Sequence, residues 1–429
     1  MRYNDMQNFT TVRSLLEALA KAMNLINSSV SHHHEQTAYL ASLIAKEMGM
    51  SGTEIRHTLY ASLLYDVGTV MREKQMSLAE VERESKIVSM AGAIFLYGLD
   101  GFDEVGDIIA YCQMNCEEHQ ILLADDEEQY ATLRCASVVH LADKVSLMLR
   151  ENVPVLNQAP FIRKVVEDEK GKEFYPETVD AFLRVSELEQ VWLDVLYDPT
   201  VPIFLDGVNE RYISLDRALP LTKLMSRIID YRSPFTKMHS AGVAASARKL
   251  AELSGMSKRE CQMMEIAGNL HDIGKLVVPK GILEKPGRLT DEEFNIIKEH
   301  PYYTRMILSD IEGFEAITEW AGNHHEKLNG RGYPRHLSAD DLDLGARIMA
   351  VADIFSAITE DRPYRKGMDR ETAMKVMREN VEFGAISNEL VTMLHDHYEE
   401  IDEARAAMSK EEGQRYYRSL EEEQAEDDE

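Results

Sequence analysis

Cysteine is scarce in this sequence: the 429 residues hold only Cys112, Cys116, Cys135 and Cys261, in no paired framework. That excludes a disulfide-stapled secreted scaffold and predicts a reducing compartment, the cytoplasm. Long apolar runs are missing too. The longest nearly apolar stretch, around residues 91–99, falls far short of the roughly 20 residues a membrane helix needs. The start, Met1-Arg2-Tyr3-Asn4-Asp5, lacks the charged-then-apolar pattern of a secretory signal. No membrane partner is therefore expected. Positive charge is in deficit, with 47 Lys and Arg against 75 Asp and Glu and a formal net charge of −28. DNA or an anionic membrane would be repelled over a Debye length. A small phosphorylated ligand is still allowed, because bound cations and a few arginines reverse the potential inside one pocket whatever the global sign. Seven of the nine residues 421–429 are acidic, and they are expected to form a solvated, disordered tail.

Strand-like alternation is equally hard to find. Apolar residues recur at helical spacing instead, as in Val243, Ala244, Ala247, Leu250 and Leu253, or Ile348, Met349, Ala352, Phe355 and Ile358. Ser257, Thr290 and Asp369 stand just ahead of charged first turns, where helix N-caps belong. The sequence predicts an all-α fold. Its length exceeds what one core usually supports, and an internal repeat predicts two tandem domains. A shift of 206 takes His33 onto His239, Gly49-Met50-Ser51 onto Gly255-Met256-Ser257, Asp66 onto Asp272 and Gly68 onto Gly274. Further on the shift becomes 212 and pairs Gly101-Phe102-Asp103 with Gly313-Phe314-Glu315. The expected domains are 1–200 and 206–405, joined near the two prolines of 196–202, with an acidic tail over 406–429.

Chemistry concentrates in the second copy. His271-Asp272 closes an apolar helical stretch (Met263, Met264, Ile266, Ala267, Leu270). An imidazole beside a carboxylate at a buried helix end suits a divalent metal, since the carboxylate can bridge two ions while the histidine fixes one. His239, His300, the pair His324-His325 ahead of Glu326, and Asp353 follow at spacings suited to successive helices. So many His and Asp side chains on apolar helices are costly to bury without a metal. The segment Gly330-Arg331-Gly332-Tyr333-Pro334 adds a short rigid loop beside the paired histidines.

His271-Asp272, His300-Pro301, His324-His325-Glu326 and the Gly-x-Gly-Tyr-Pro loop resemble the HD-GYP family of cyclic dinucleotide phosphodiesterases over residues 231–380. Val351-Ala352-Asp353-Ile354-Phe355 and Arg362-Pro363-Tyr364-Arg365 extend that resemblance in order. The resemblance implies a metal-dependent hydrolase of cyclic di-GMP or cyclic GMP-AMP. It implies His239, His271, Asp272 and Asp353 as ligands of one ion, His300, His324 and His325 as ligands of a second, and Asp272 as the bridge, with iron or manganese as the metal. Lys275, Arg362 and Arg365 resemble the family's phosphate-binding cations, and Tyr333 sits where the signature loop borders substrate. Three positions depart from the pattern: Phe235 stands where some members carry a third-site glutamate, while Asn329 and Ser356 replace usual aspartates. Two ions are accordingly expected.

The first copy keeps His33, Asp66 and Asp143. It places Tyr65 at the His271 position, Val88 at that of His300 and Cys112-Gln113 near those of His324-His325, and it has no Gly-Tyr-Pro loop. It is expected to be a degenerate, non-catalytic HD-type domain with a structural or regulatory role, homodimerisation being one form of it. His32-His33-His34 is read as no metal cluster, because consecutive helical residues point in different directions. Competing readings of the chain are an HD-superfamily nucleotide phosphohydrolase and a non-catalytic nucleotide-binding scaffold.

Overall fold

The computed structural model describes residues 9–25, 32–71, 78–125, 129–150, 152–199, 212–231, 238–285, 287–361 and 366–427. The fold is all-α, as expected. Its one sheet among the described residues pairs Thr10–Thr11 antiparallel with Tyr212–Ile213. No described helix is long and apolar enough to cross a membrane.

Two compact units divide the chain, one formed by Met23–Arg211 and the other by Met1–Ala22 together with Tyr212–Glu429. This corrects the expected first domain of 1–200: its opening residues belong to the other unit. The reason is local. Strand Thr10–Thr11 needs Tyr212–Ile213 to satisfy its backbone. The Phe9 ring packs at a tilt 5.5 Å from Phe314 with Arg259 above it at 5.2 Å, and Lys21 pairs with Asp310.

The duplication is explicit in the backbone. Helices His33–Glu47 and His239–Leu253 both run 15 residues, and Gly52–Leu64 and Lys258–Leu270 both run 13. Each pair is joined by a glycine in the left-handed region, Gly49 at φ 66° and Gly255 at φ 80°. The residues after them, Met50 and Met256, donate back to the carbonyls of Ala45 and Ala251 at 3.1 Å, closing a Schellman-type end. Ser51 with Glu54, and Ser257 with Glu260, then form reciprocal capping boxes. Thr290 and Asp369 cap their helices as predicted.

Around the second copy the core is fully enclosed. Ala247 and Leu250 on one helix meet Ala267 and Leu270 on the next and Val351 and Phe355 of Leu344–Thr359, all completely buried. Burying a leucine or phenylalanine in this way stabilises by about 1.5–3 kcal/mol, which fixes the ends of these helices and hence the polar residues that cap them.

The acidic end departs from expectation. Residues 421–427, expected within a disordered end, lie in one helix that runs Tyr398–Asp427. Its first turns are anchored by buried Tyr398, Ile401, Arg405, Ser409 and Glu412. Once nucleated, a glutamate-rich helix extends at little cost.

Candidate metal centre

Each proposed ligand sits where packing dictates its position. His239 opens the helix His239–Leu253, His271 and Asp272 follow Lys258–Leu270, and His300 opens His300–Leu308. His324 and His325 follow Glu315–Gly322, and Asp353 projects from the middle of Leu344–Thr359. At a helix end the side chain can leave the rod, so five separate elements converge on one point.

Three of the histidines share a device. The Nδ1 of His271 lies 2.8 Å from the Gly268 carbonyl, that of His300 2.6 Å from Ile297, and that of His324 2.6 Å from Ala321. A carbonyl only accepts, so Nδ1 carries the proton and donates, leaving each Nε2 a bare lone pair aimed inward. Thr304 ties two of these segments together, its Oγ1 donating to the His271 carbonyl at 2.9 Å and accepting from Gly274 N at 3.1 Å.

Seven side chains meet inside. Asp272 Oδ2 is 3.2 Å from His271 Nε2 and 2.6 Å from Lys275 Nζ, while its Oδ1 is 3.4 Å from His300 Nε2 and 3.8 Å from His324 Nε2. Asp353 Oδ1 is 3.1 Å from His239 Nε2 and 4.0 Å from that of His271, and its Oδ2 is 3.7 Å from His325 Nδ1. Three overlapping groups of ligand atoms close enough to share an ion result: His300, His324 and His325; His239, His271 and Asp353; and His271, Asp272 and His324. All lie in the unit that contains Tyr212–Glu429.

The electrostatics favour neutral ligands on one side. Burial holds His300 down to about 3, His324 to about 4 and His325 well below its ordinary value. His239 moves the other way: burial works against its charged form, but Asp353 and Glu360 outweigh it and lift it to about 10. Burial likewise opposes ionisation of Asp272, yet His271 and Lys275 beside it hold its carboxyl well below the usual range.

The residues fit a metal. Nε2 of His271 and Oδ1 of Asp272 are buried with no hydrogen-bond partner, a costly state for polar atoms. Nε2 of His300 and Nε2 of His324 face each other at 3.2 Å. With both protons on Nδ1, these are two lone pairs in opposition, and a cation between them turns repulsion into ligation.

The signature loop closes one side. Tyr333 packs its ring 4.9 Å from His325 and 6.2 Å from Phe294. Buried Glu326 accepts from Arg335 N at 2.6 Å and Leu337 N at 2.9 Å, staking down the far end of the loop. A Cβ on Gly332 would lie 2.4 Å from Glu326 Cα, so only glycine lets the loop fold over that residue. Asn329 accepts from Arg331 N at 3.1 Å and donates to the Phe383 carbonyl at 2.7 Å, holding the turn at one of the departures from the family pattern. Ser356, another departure, pairs with Ser246 at 3.4 Å. Phe235, Arg362 and Arg365 lie outside the described residues.

Sequence reasoning missed two buried acids. Asp230 accepts from Ser240 Oγ at 2.9 Å, and burial raises its carboxyl well above the usual range; no spacing signals it. Glu360 lies 3.3 Å from His239 Nδ1. Its place seven residues beyond Asp353, two helical turns, was a usable signal.

In the other unit the inherited residues pair among themselves. His33 bonds Asp143 at 2.9 Å and Gln113 donates to Asp143 at 3.1 Å. His34, which the repeat gave no partner, takes Asp66 at 2.5 Å. The cysteines are buried free thiols.

A helical fold that gathers a His-Asp pair with further histidines and a distal aspartate defines an HD-type protein. Comparison agrees: the HD domain family model matches residues 223–384. The chain is 27% identical to the 3′3′-cGAMP-specific phosphodiesterase 1 of Vibrio cholerae over 89% of its own length and 91% of that protein. It is 35% identical to the 3′3′-cGAMP-specific phosphodiesterase 3 of the same organism, over 47% of this chain and 49% of that one. A cyclic di-GMP phosphodiesterase of Pseudomonas aeruginosa is 40% identical over 34% of this chain and 35% of its own. The crystal structure of a cyclic GMP-AMP-specific phosphodiesterase of V. cholerae superposes with a TM-score of 0.59, at 21% identity, over 93% of this chain and 98% of that one, which bears on the fold. Residues 223–384 thus match an HD domain, and the similarity to cyclic dinucleotide phosphodiesterases runs over most of the chain.

Proposed function

We propose that this chain is a metal-dependent phosphodiesterase that opens a cyclic dinucleotide, with 3′,3′-cyclic GMP-AMP as its substrate. The observation that carries the reading is the buried meeting of seven His and Asp side chains in three overlapping ligand groups. The preference for the mixed dinucleotide rests on length: the relative matched across both units acts, by its name, on cGAMP, whereas the cyclic di-GMP relative cited above matches about a third of the chain. Cyclic di-GMP is the second reading.

His239, His271, Asp272 and Asp353 would hold one ion and His300, His324 and His325 the other, with Asp272 joining the two sets. Two divalent ions held there, iron or manganese, would supply the Lewis acidity for water activation and for charge on the phosphoryl oxygens. The residues of the chain do the rest. The Nδ1–H bonds to backbone carbonyls keep the imidazoles in one tautomer, and Lys275 balances Asp272 at the edge of the centre. Tyr333 borders the substrate, and Arg362 and Arg365 take its phosphates through charge-assisted hydrogen bonds. Attack of water on phosphorus breaks one P–O bond of the ring and gives the linear dinucleotide, and a second cut would give mononucleotides. The Met23–Arg211 unit takes a structural or regulatory role, with homodimerisation one form of it. DNA and membranes are not partners, given the net charge, and four buried free thiols suit a cytoplasmic setting.

The test is chromatographic product analysis of cyclic GMP-AMP and cyclic di-GMP after incubation with iron- or manganese-loaded protein, beside His271→Ala and Asp272→Ala. Loss of turnover and of bound metal in both variants is expected. Wild-type hydrolysis with full metal content in either would reject the assignment, and a wild-type protein that binds dinucleotide without cutting it would leave a scaffold.

A further inference from the structure

We infer that Glu360 is a positioning residue for the metal centre: its carboxylate holds Nδ1 of His239 so that Nε2 is presented as a ligand. The inference deepens the metal-site reading and rests on it.

His239 differs from the other histidines of the centre. His271, His300 and His324 turn Nδ1 onto the carbonyl three residues earlier. His239 instead lies between two carboxylates of a single segment, with Asp353 Oδ1 3.1 Å from Nε2 and Glu360 Oε2 3.3 Å from Nδ1. Seven residues make almost two whole helical turns, so positions 353 and 360 share a face of Leu344–Thr359 and its cap. Glu360 is only 6% exposed. His239 Nδ1 and Glu360 Oε2 are both buried with no hydrogen bond of good geometry to any described residue, each other included, so their 3.3 Å approach is an ion-pair contact. A buried carboxylate paired at 3.3 Å with the far nitrogen of a candidate ligand histidine has little to offer stability. It does what an outer partner of a metal site does, setting the tautomer and raising the basicity of the ligating nitrogen.

The duplication supplies an internal control. In the Met23–Arg211 unit the corresponding His33 keeps its aspartate, Asp143, at 2.9 Å, but its Nδ1 meets a hydroxyl, Ser146 Oγ, at 2.8 Å. The offset of 210 that takes Asp143 onto Asp353 takes Ser146 onto Ser356 and Arg150 onto Glu360. Ser356 has turned to Ser246. The copy with converging ligands has therefore moved this task to a carboxylate one turn further on, and the copy without them carries an arginine there.

Full-length wild type, Glu360→Ala, Glu360→Gln and His239→Ala are stripped with chelator and titrated with Mn2+, free ion being counted by electron paramagnetic resonance, and the melting of each metal-free protein is recorded. Glu360→Ala should weaken Mn2+ binding by about 10–100-fold, and Glu360→Gln by less, because its amide oxygen still accepts the Nδ1 proton. Metal-free Glu360→Ala should melt no lower than wild type. Wild-type Mn2+ affinity in Glu360→Ala overturns the inference. So does a fall in metal-free stability that matches the loss of Mn2+, which would make Glu360 merely structural. Should wild type and His239→Ala bind no Mn2+ alike, the metal-site reading itself fails and this inference falls with it; normal wild-type binding with an indifferent Glu360 removes this inference alone.

Discussion

Gly274→Ala tests whether the backbone around the centre is set for ligand placement. A Cβ built on Gly274 lies 2.0 Å from the carbonyl oxygen of His300 and 2.7 Å from Thr304 N, whereas real Cβ contacts begin near 3.0 Å. The His300 carbonyl must therefore retreat by at least 3.0 − 2.0 = 1.0 Å. Strain of this kind costs about 1–3 kcal/mol, set against the several tenths that alanine gains over glycine in the unfolded chain. The shift also strains the Thr304 bridge to the His271 carbonyl, so two ligand-bearing segments move. A misplacement of about 1 Å is worth on the order of 100-fold in rate. The duplicated fold provides the comparison, because Gly68 meets the Val88 carbonyl at the same 2.0 Å in the other unit. Gly68→Ala should lower the melting temperature and leave Mn2+ affinity unchanged. Gly274→Ala should lower the melting temperature, Mn2+ affinity and kcat/KM together, read by thermal denaturation, metal titration and dinucleotide turnover. A Gly274→Ala protein with wild-type affinity and turnover would refute the reasoning, as would equal loss of metal in Gly68→Ala.

Three further outcomes follow from the same geometry. Metal-free protein should lose stability as pH falls from about 6.5 towards 4. In that window the unfolded chain protonates histidines that burial keeps neutral in the fold, His300 at about 3, His324 at about 4 and His325 lower still; each adds up to about 1.4 kcal/mol per pH unit. Asp230, raised by burial, opposes with one proton, and His239, raised to about 10, opposes with about half a proton at the top of the window, where only its unfolded form still titrates; urea midpoints that are flat or rise on acidification would contradict this. Glu326→Ala strips the acceptor from Arg335 N and Leu337 N, at about 1–3 kcal/mol for each amide left dry, and should expose residues 327–341 to limited proteolysis, with Glu326→Gln milder. Removing Met1–Ala22 should destabilise the unit that carries the ligands, since Phe9 and Lys21 contact Phe314 and Asp310; an unchanged Mn2+-dependent melting curve would show those contacts to be idle.

Helical periodicity, caps and the duplication could be read directly from the chain, because each has a short-range cause: Ser257 and Glu260 need only each other, and Gly255 only its own φ. The candidate ligands were legible for a different reason, that histidine and aspartate amid apolar helices demand a partner. What escaped were long-range pairings with no local mark. Nothing near Thr10 announces Ile213 as its partner, so the first residues were assigned to the wrong unit. Asp230 lies in an ordinary amphipathic helix, and His34 looked like an idle neighbour of His33 until the fold brought Asp66 to it. The acidic end misled because composition speaks to the average segment, while the anchored turns from Tyr398 to Glu412 supplied the nucleus that composition leaves out.

The two units also show what a buried aspartate requires. In the Met23–Arg211 unit the oxygens of Asp143 are answered by His33 and Gln113, and Asp66 by His34. Tyr65 and Val88 fill the places of two histidines with bulk, and burial pushes the Cys112 thiol up to about 12, against the thiolate form that a metal ligand needs. Both of these aspartates have a protein partner, so an ion would have to displace hydrogen bonds already made. In the other unit the same scaffold places Asp272 with Oδ1 unanswered, His271 with Nε2 unanswered and two imidazole lone pairs nose to nose. Among the described residues, Lys275 is the one fixed cation within hydrogen-bond reach of Asp272. Chains that share a fold and differ in this way differ in what completes them: one network closes on itself, and the other needs positive charge from outside. That need, more than any single motif, is why the second unit reads as a metal enzyme and the first as its retired copy.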